Sequence, residues 1–139
     1  MRVSQIVTRP LVTITTSSTV LDAAKLMVEK NIGLLVIVRD TKLVGVISER
    51  DIIRTITSAK TLNVPVDGVC TKQVVTVQAG SDVAEAAKAM NKNRIRHVVV
   101  VDDEGKPMGV VSMRDLVGER GTLAAILQSD ENEVFRGGD

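Results

Sequence analysis

The sequence predicts an α/β (α+β) fold of two β-α-β-β-α repeats packed about a pseudo-two-fold axis. Three observations carry that expectation. The chain of 139 residues says nearly the same thing twice, over 3–56 and again over 66–120. Each copy places a stretch of helical periodicity ahead of β-branched runs. Turn-forming residues then separate two such runs within each copy. The register between copies is 63 residues up to Asp40/Asp103 and 64 after one extra residue near Glu104. Identities recur at Val12/Val75, Thr13/Thr76, Val20/Val83, Ala23/Ala86, Ala24/Ala87, Met27/Met90, Ile32/Ile95, Gly45/Gly109, Ser48/Ser112, Arg50/Arg114 and Asp51/Asp115. Self-similarity at a fixed period marks a repeat architecture. Two copies are too few for an open solenoid, so a closed pair with a cleft between its halves is expected, and clefts are where small ligands bind.

Each repeat opens on a short apolar segment, LVTI (11–14) or VVTV (74–77), read as a strand. Thr19 and Asp82 then stand as N-caps, with Asp22 and Glu85 three residues on to complete capping boxes. Val20, Ala23, Ala24 and Met27 fall at i, i+3, i+4 and i+7, one face of a helix over 20–30, and Val83, Ala86, Ala87 and Met90 repeat it. The runs LLVIV (34–38) and HVVVV (97–101) lack alternation, which suggests strands buried on both faces. RDTK (39–42) and DDEGKP (102–107) supply turn residues, and LVGVIS (43–48) and MGVVS (108–112) pair back as hairpins. A second helix starts at Ser48 or Ser112. The expected domains are residues 1–60 with the start of a linker (57–65), residues 61–120, and a C-terminal extension over 121–139. In that extension GTLAAILQ (121–128) is apolar enough to lengthen the last helix or dock a partner, ahead of an acidic tail.

Composition narrows the function classes. Hydrophobic residues make up 44% and charged residues 25%, ordinary for a globular protein. No apolar run approaches the ~18 residues of a membrane span. The first repeat begins almost at once, leaving no room for a signal peptide, and a lone Cys70 forms no internal disulfide, so a cytoplasmic protein is expected. Cys70 aligns with Val7 and reads as a small apolar filler. The net charge is +1, from an excess of four positive charges over residues 1–60 and three negative over 61–139. Neither half has the basic excess of a nucleic-acid binder. Phe135 is the sole aromatic residue, so no stacking platform for bases exists, and a bound base would sit among Val, Ile, Leu and Met. One His and one Cys, distant in sequence, make no metal set, and no nucleophile elbow, phosphate loop or paired-acid pattern appears. An enzyme is therefore not expected.

The signature G-h-h-S-x-x-D, with h apolar, closes both repeats as GVISERD (45–51) and GVVSMRD (109–115). NIGLLVIVRD (31–40) and NRIRHVVVVDD (93–103) precede it. One match would be weak; two, at the same place in two β-α-β-β-α repeats, are specific. The pattern resembles a CBS-domain pair, also called a Bateman module, over residues 3 to about 118. It is similar to the energy-sensing subunit of AMP-activated kinase and to the regulatory insert of inosine monophosphate dehydrogenase. The resemblance implies a regulatory module, without a fused effector domain here, that binds AMP, ADP, ATP or S-adenosylmethionine in the inter-repeat clefts. It also implies a homodimer and an effector protein that the sequence does not name. One departure is Val99, with Val36 in the first repeat, where the family often has proline.

Residue by residue, the resemblance points to Thr13, Ile14, Ser48, Arg50, Asp51, Thr76, Val77, Arg96, His97, Ser112, Arg114 and Asp115 as ligand contacts. Asp51 and Asp115 would accept hydrogen bonds from a ribose diol. Ser48 and Ser112, with free N–H groups at the helix start, would meet phosphate. Ser-x-x-Asp is equally the pattern of a capping box, and one Ser can serve both roles. Arg50 and Arg114 read as phosphate partners or as solvated surface residues, and Arg96 and His97 as phosphate contacts or strand-entry hydrogen-bonders. Thr13, Ile14, Thr76 and Val77 match the region that receives the base, or pack an ordinary core. The strand entries differ: Asn31, Gly33 and Leu34 in the first repeat stand where the second has Arg94, Arg96 and His97. One good phosphate site is therefore expected rather than two equal ones. The alternatives are an interaction scaffold with vestigial clefts and, further off, a nucleic-acid-binding accessory protein.

Overall fold

Within each repeat helical periodicity gives way to continuous β-branched runs, and the secondary structure switches with it. The computed structural model describes residues 1–7 and 10–118. The first repeat runs β1 (Thr13–Thr15), α1 (Val20–Lys30), β2 (Leu34–Arg39), β3 (Lys42–Ser48) and α2 (Glu49–Ala59). The second runs β4 (Thr76–Gln78), α3 (Val83–Asn93), β5 (His97–Val101), β6 (Pro107–Ser112) and α4 (Met113–Gly118). Each repeat is a mixed α+β unit with its own three-stranded sheet, ordered β1-β2-β3 or β4-β5-β6. In both, the first pair is parallel and the second antiparallel. The expected extension over 121–139 lies outside the described residues.

α1 occupies the expected span, and Thr19 closes its N-terminus: its hydroxyl accepts the N–H of Asp22 at 3.1 Å, and Asp22 accepts the N–H of Thr19 at 3.0 Å. Those bonds hold the Asp22 carboxyl below the usual carboxylate range. The stabilisation is present above that range and fades as pH falls through the lowered value. Asp82 caps α3 differently from expectation. It takes the N–H of Ala84 at 2.9 Å instead of that of Glu85, because its other oxygen turns to the chain's amino group at 3.7 Å. Val20, Ala23 and Met27 bury the α1 face, and Val83, Ala86, Ala87 and Met90 bury that of α3. Both helices end on a left-handed residue, Asn31 and Arg94.

The continuous apolar runs are buried on both faces, as Leu35, Val36 and Ile37 and then Val98, Val99 and Val100 demonstrate. Leu35, Ile37 and Ile47 are fully enclosed, each contributing roughly 1.5–3 kcal/mol relative to exposure. Asp40 and Thr41, with φ of 52° and 67°, form the two-residue turn between β2 and β3, a geometry matched to the right-handed twist of a hairpin. The extra residue of the second repeat widens its turn, where Asp102 Oδ1 accepts the N–H groups of Glu104 and Lys106 and Gly105 takes φ 81°. α2 runs into the expected linker, to Ala59, before Lys60 turns left-handed.

The compact units differ from the sequence repeats. One comprises Val12–Val74; the other joins Met1–Leu11 to the chain from Val75. Each repeat therefore carries the opening segment of the other. Val66 sits fully buried in the core of Ile14, Val20, Leu35, Ile37 and Ile47. Its register mate Val3 sits in the core of Val83, Ala87, Met90, Val98 and Val111. The hydrogen bonds match: Val66 donates to the carbonyl of Ser18 at 2.8 Å, and Val3 to that of Ser81 at 2.8 Å. Short helical turns, Val66–Gly68 and Val3–Gln5, form these two docking segments.

The opening segment of the second repeat goes on to cover the free edge of β3. Val46 and Thr71 exchange both backbone hydrogen bonds at 2.9 Å, which protects an edge that would otherwise invite pairing. That crossing explains the motif glycine. A Cβ on Gly45 would lie 2.7 Å from the Thr71 carbonyl oxygen and 3.2 Å from Cys70 Sγ; on Gly109, among the described residues, it would meet the Val7 side chain, with Cγ1 at 2.5 Å. A backbone obstacle yields less than a side-chain methyl. Gly45→Ala should therefore cost about 1–3 kcal/mol, and Gly109→Ala less. Gly80→Ala, with nothing within 4 Å, should stay within about 0.5 kcal/mol of wild type. Urea denaturation of the three variants checks the order.

Candidate functional site

α2 starts where β3 stops, so the residue that ends the strand also caps the helix. Ser48 is that residue. Its hydroxyl accepts the N–H of Asp51 at 3.3 Å, while Asp51 Oδ2 accepts the Ser48 N–H at 3.0 Å and the Ser48 hydroxyl at 3.1 Å. The second repeat repeats the arrangement: Asp115 Oδ2 accepts the Ser112 N–H at 2.8 Å, and the Asp115 N–H donates to Ser112 Oγ at 3.1 Å. Both Ser-x-x-Asp pairs are capping boxes, so the structural reading of the motif holds in each copy.

Asp51 is buried, 5% exposed, and its second oxygen is less tightly held. The Thr71 hydroxyl is shared between the two oxygens, 3.4 Å from Oδ2 and 3.5 Å from Oδ1, and Oδ1 faces Arg54 at 3.7 Å. Arg54 is well exposed, so that ion pair contributes little. Among the described residues no buried side-chain polar atom lacks a partner. A ligand here would exchange hydrogen bonds rather than satisfy an orphan.

Sheet register decides which candidates meet. Ser48 stands opposite Leu34 across β2 and β3, and Ser112 opposite His97 across β5 and β6. The first helical N–H of each motif returns to the strand entry: Glu49 donates to the Gly33 carbonyl at 3.1 Å, and Met113 to that of Arg96 at 2.8 Å. The structure thus joins Arg96 and His97 to Ser112 and Asp115, which spacing alone left apart. Thr13 lies opposite Val36, and Thr76 opposite Val99, each two residues along from the Ser partner and so on the same sheet face. Thr13 and Thr76 are exposed; Ser48, His97, Ser112 and Asp115 are half-buried; Arg50, Arg96 and Arg114 are exposed. Ile14 and Val77 are buried in their own repeats' cores, which leaves their backbone rather than their side chains to meet a ligand.

Three residues here escaped the sequence reading. Thr71, which holds Asp51, repeats Thr8 at the 63-residue register, a signal that was present. Thr8 itself lies outside the described residues. Arg54 has no counterpart, since Gly118 takes its place. Glu49 folds its carboxylate over Gly33, overlapping the place a Cβ would take. Cys70 is the expected apolar filler: it packs against the first repeat's core and donates weakly to the Asp67 carbonyl at 3.7 Å. Burial pushes its thiol up, leaving little thiolate at neutral pH. Among the described residues there is no cluster that could hold a metal, and no helix is long and apolar enough to cross a membrane.

The CBS domain model matches residues 3–58 and 66–121. A CBS domain protein from Pyrobaculum aerophilum, solved in complex with AMP, superposes with a TM-score of 0.87 at 33% identity, covering 92% of this chain and 99% of that one. The CBS domain pair of protein MJ0100, solved with 5′-methylthioadenosine and S-adenosyl-L-methionine, gives 0.78 at 27% identity over 94% and 98%. An uncharacterised 17.7 kDa protein of Acidianus ambivalens is 37% identical over 83% of this chain and 70% of its own length. Other relatives are longer. The chain spans 34% of an uncharacterised Methanocaldococcus jannaschii protein and 23% of the inosine-5′-monophosphate dehydrogenase of Thermoplasma acidophilum.

The unequal burial of the two carboxylates has a measurable consequence. In the absence of nucleotide, Asp51→Ala should destabilise by about 2–3 kcal/mol, since it removes a buried carboxylate that accepts from two hydroxyls as well as a helix cap. Asp115→Ala should cost about 1 kcal/mol, the typical value of a cap. Thermal unfolding followed by circular dichroism reads both.

Proposed function

This chain belongs to the CBS domain family, and from that premise we propose that it is a cytoplasmic regulatory module that senses an adenosine ligand, AMP, ADP, ATP or S-adenosylmethionine. The observation that carries the reading is the duplicated cluster at the strand-to-helix junction: Ser48 with Asp51 and Ser112 with Asp115, each beside a strand entry and an exposed Thr on the same sheet face. The AMP carried by the Pyrobaculum relative and the adenosine compounds carried by the other CBS pair support the ligand class.

The chemistry follows from the caps. Oδ2 of Asp51 is committed to Ser48, while Oδ1 holds only longer contacts, so a ribose hydroxyl would donate to Oδ1 in place of Thr71 and Arg54. Asp115 would act likewise. The helix starts do not offer the free N–H groups expected, because those of Glu49 and Met113 already donate to Gly33 and Arg96 and those of Asp51 and Asp115 to the Ser hydroxyls. The Ser hydroxyls would therefore receive the 5′ substituent, Arg50, Arg96, His97 and Arg114 would add charge to it, and Thr13, Ile14, Thr76 and Val77 would border the base. Regulation then needs no reaction. A ligand stabilises whichever state binds it better, by an amount set by that difference in affinity.

A second reading rests on α2, which leaves Ile53 and Ile56 exposed one turn apart. That face suits a second copy of the chain, giving a homodimer that serves an effector protein whether or not nucleotide is bound.

Isothermal titration calorimetry of nucleotide-stripped protein separates the two. The sensor reading expects a dissociation constant on the order of micromolar for at least one adenosine ligand, no heat with GTP, and weakened binding in Asp51→Ala or Asp115→Ala. Silence from every adenosine compound, with a flat thermal-shift response, would leave the scaffold reading standing.

A further inference from the structure

The two repeats carry the same cap but opposite charge at the strand entry that adjoins it. In the first, Gly33 leaves open the space its missing side chain would fill, and the Glu49 carboxylate lies in that space, with Oε1 over Gly33 and Cδ 3.2 Å from where a Cβ would stand. In the second, the register mates are Arg96 and Met113, with the same backbone hydrogen bond between them. Glycine and glutamate in one repeat thus replace arginine and methionine in the other, and the pair exchanges as a set: a side chain at residue 33 would displace the carboxylate. The surroundings reinforce the contrast. Arg50 and Arg54 balance Glu49 and Asp51 in the first repeat, whereas Arg94, Arg96 and Arg114 outnumber Asp115 in the second. Arg94 also ends α3 with φ 53°, where the first repeat uses Asn31, a residue better suited to left-handed backbone.

Resting on the proposed adenosine-binding reading, we propose that Glu49 is a specificity-determining residue. It makes the site of the first repeat select an adenosine compound whose 5′ substituent is uncharged or cationic, while Arg96 directs 5′-phosphorylated adenosine to the second. A phosphate brought to Ser48 meets the carboxylate of the next residue, which lies over Gly33. The same phosphate at Ser112 meets arginine. A thioether or sulfonium at the 5′ position suffers no repulsion at the first site. Glu49 and Arg96 are both exposed, so solvent screens each effect and tunes affinity rather than abolishing it.

The test is calorimetry of AMP and of 5′-methylthioadenosine against wild type, Glu49→Gln, and the graft Gly33→Arg/Glu49→Met, each first checked for native circular dichroism. Wild type should bind both compounds at once, AMP strongly at the second site and 5′-methylthioadenosine at the first, where AMP binds only weakly. Glu49→Gln, nearly isosteric, should tighten the weaker AMP event by roughly tenfold and leave 5′-methylthioadenosine unchanged. The graft should give the first repeat an AMP site like that of the second. Competition of the two compounds for a single site, or an AMP isotherm indifferent to both variants, would overturn the assignment of Glu49 while leaving adenosine binding intact. Failure of wild type to bind either compound would overturn the adenosine-binding reading and this inference with it.

Discussion

One crossing holds the first repeat in order: the opening segment of the second repeat laid antiparallel across β3, with Val46 and Thr71 exchanging both backbone hydrogen bonds. Its demands radiate outward. The approach is too close for a side chain at residue 45, so the motif begins with glycine. It delivers the Thr71 hydroxyl to Asp51, allowing a carboxylate to be buried at the start of α2. It also draws Val66 into the core, completing a hydrophobic cluster that β1, α1 and the hairpin leave open. The second repeat is closed in the same way by the N-terminal segment, with Val3 in the core and Val7 over Gly109.

The logic that the two Ser-x-x-Asp pairs share lies in the economy of their atoms. A helix start must satisfy its first N–H groups, and Ser48 with Asp51 does so using one carboxylate oxygen. The other oxygen makes long contacts to Thr71 and Arg54. Under the proposed function that oxygen is where ribose enters, and its occupation loosens Thr71. Ligand binding would then be felt at the crossing that closes the repeat. Under the proposed function, capping and recognition are two uses of one residue rather than rival explanations.

Much of the fold was legible because it is locally encoded. The helix over 20–30 and the strands at 34 and 97 follow from periodicity, caps and β-branched runs, and each lies within a residue or two of its expected span. What was not legible was non-local. Nothing in a repeat of about 55 residues says that Val66 packs on the first copy and Val3 on the second, so the compact units differ from the repeats. The Asp82 cap shifted because the amino terminus, distant in sequence, competes for its oxygen. At the site, the motif gave Ser48, Asp51, Ser112 and Asp115, but only register placed His97 opposite Ser112. Ile14 and Val77 matched a ligand-facing region by position yet turn into their cores, since alternation along a three-residue strand sends the middle side chain inward.

The central claim is that the two strand-to-helix junctions hold the ligand. Hydrogen–deuterium exchange resolved to short peptides, with and without AMP and 5′-methylthioadenosine together at saturation, tests it directly. The account predicts slowed exchange over residues 48–51 and 112–115, with the interior of α1 and α3 unchanged. Bound ligand that leaves both junctions exchanging as before, and protects some other surface, would contradict it.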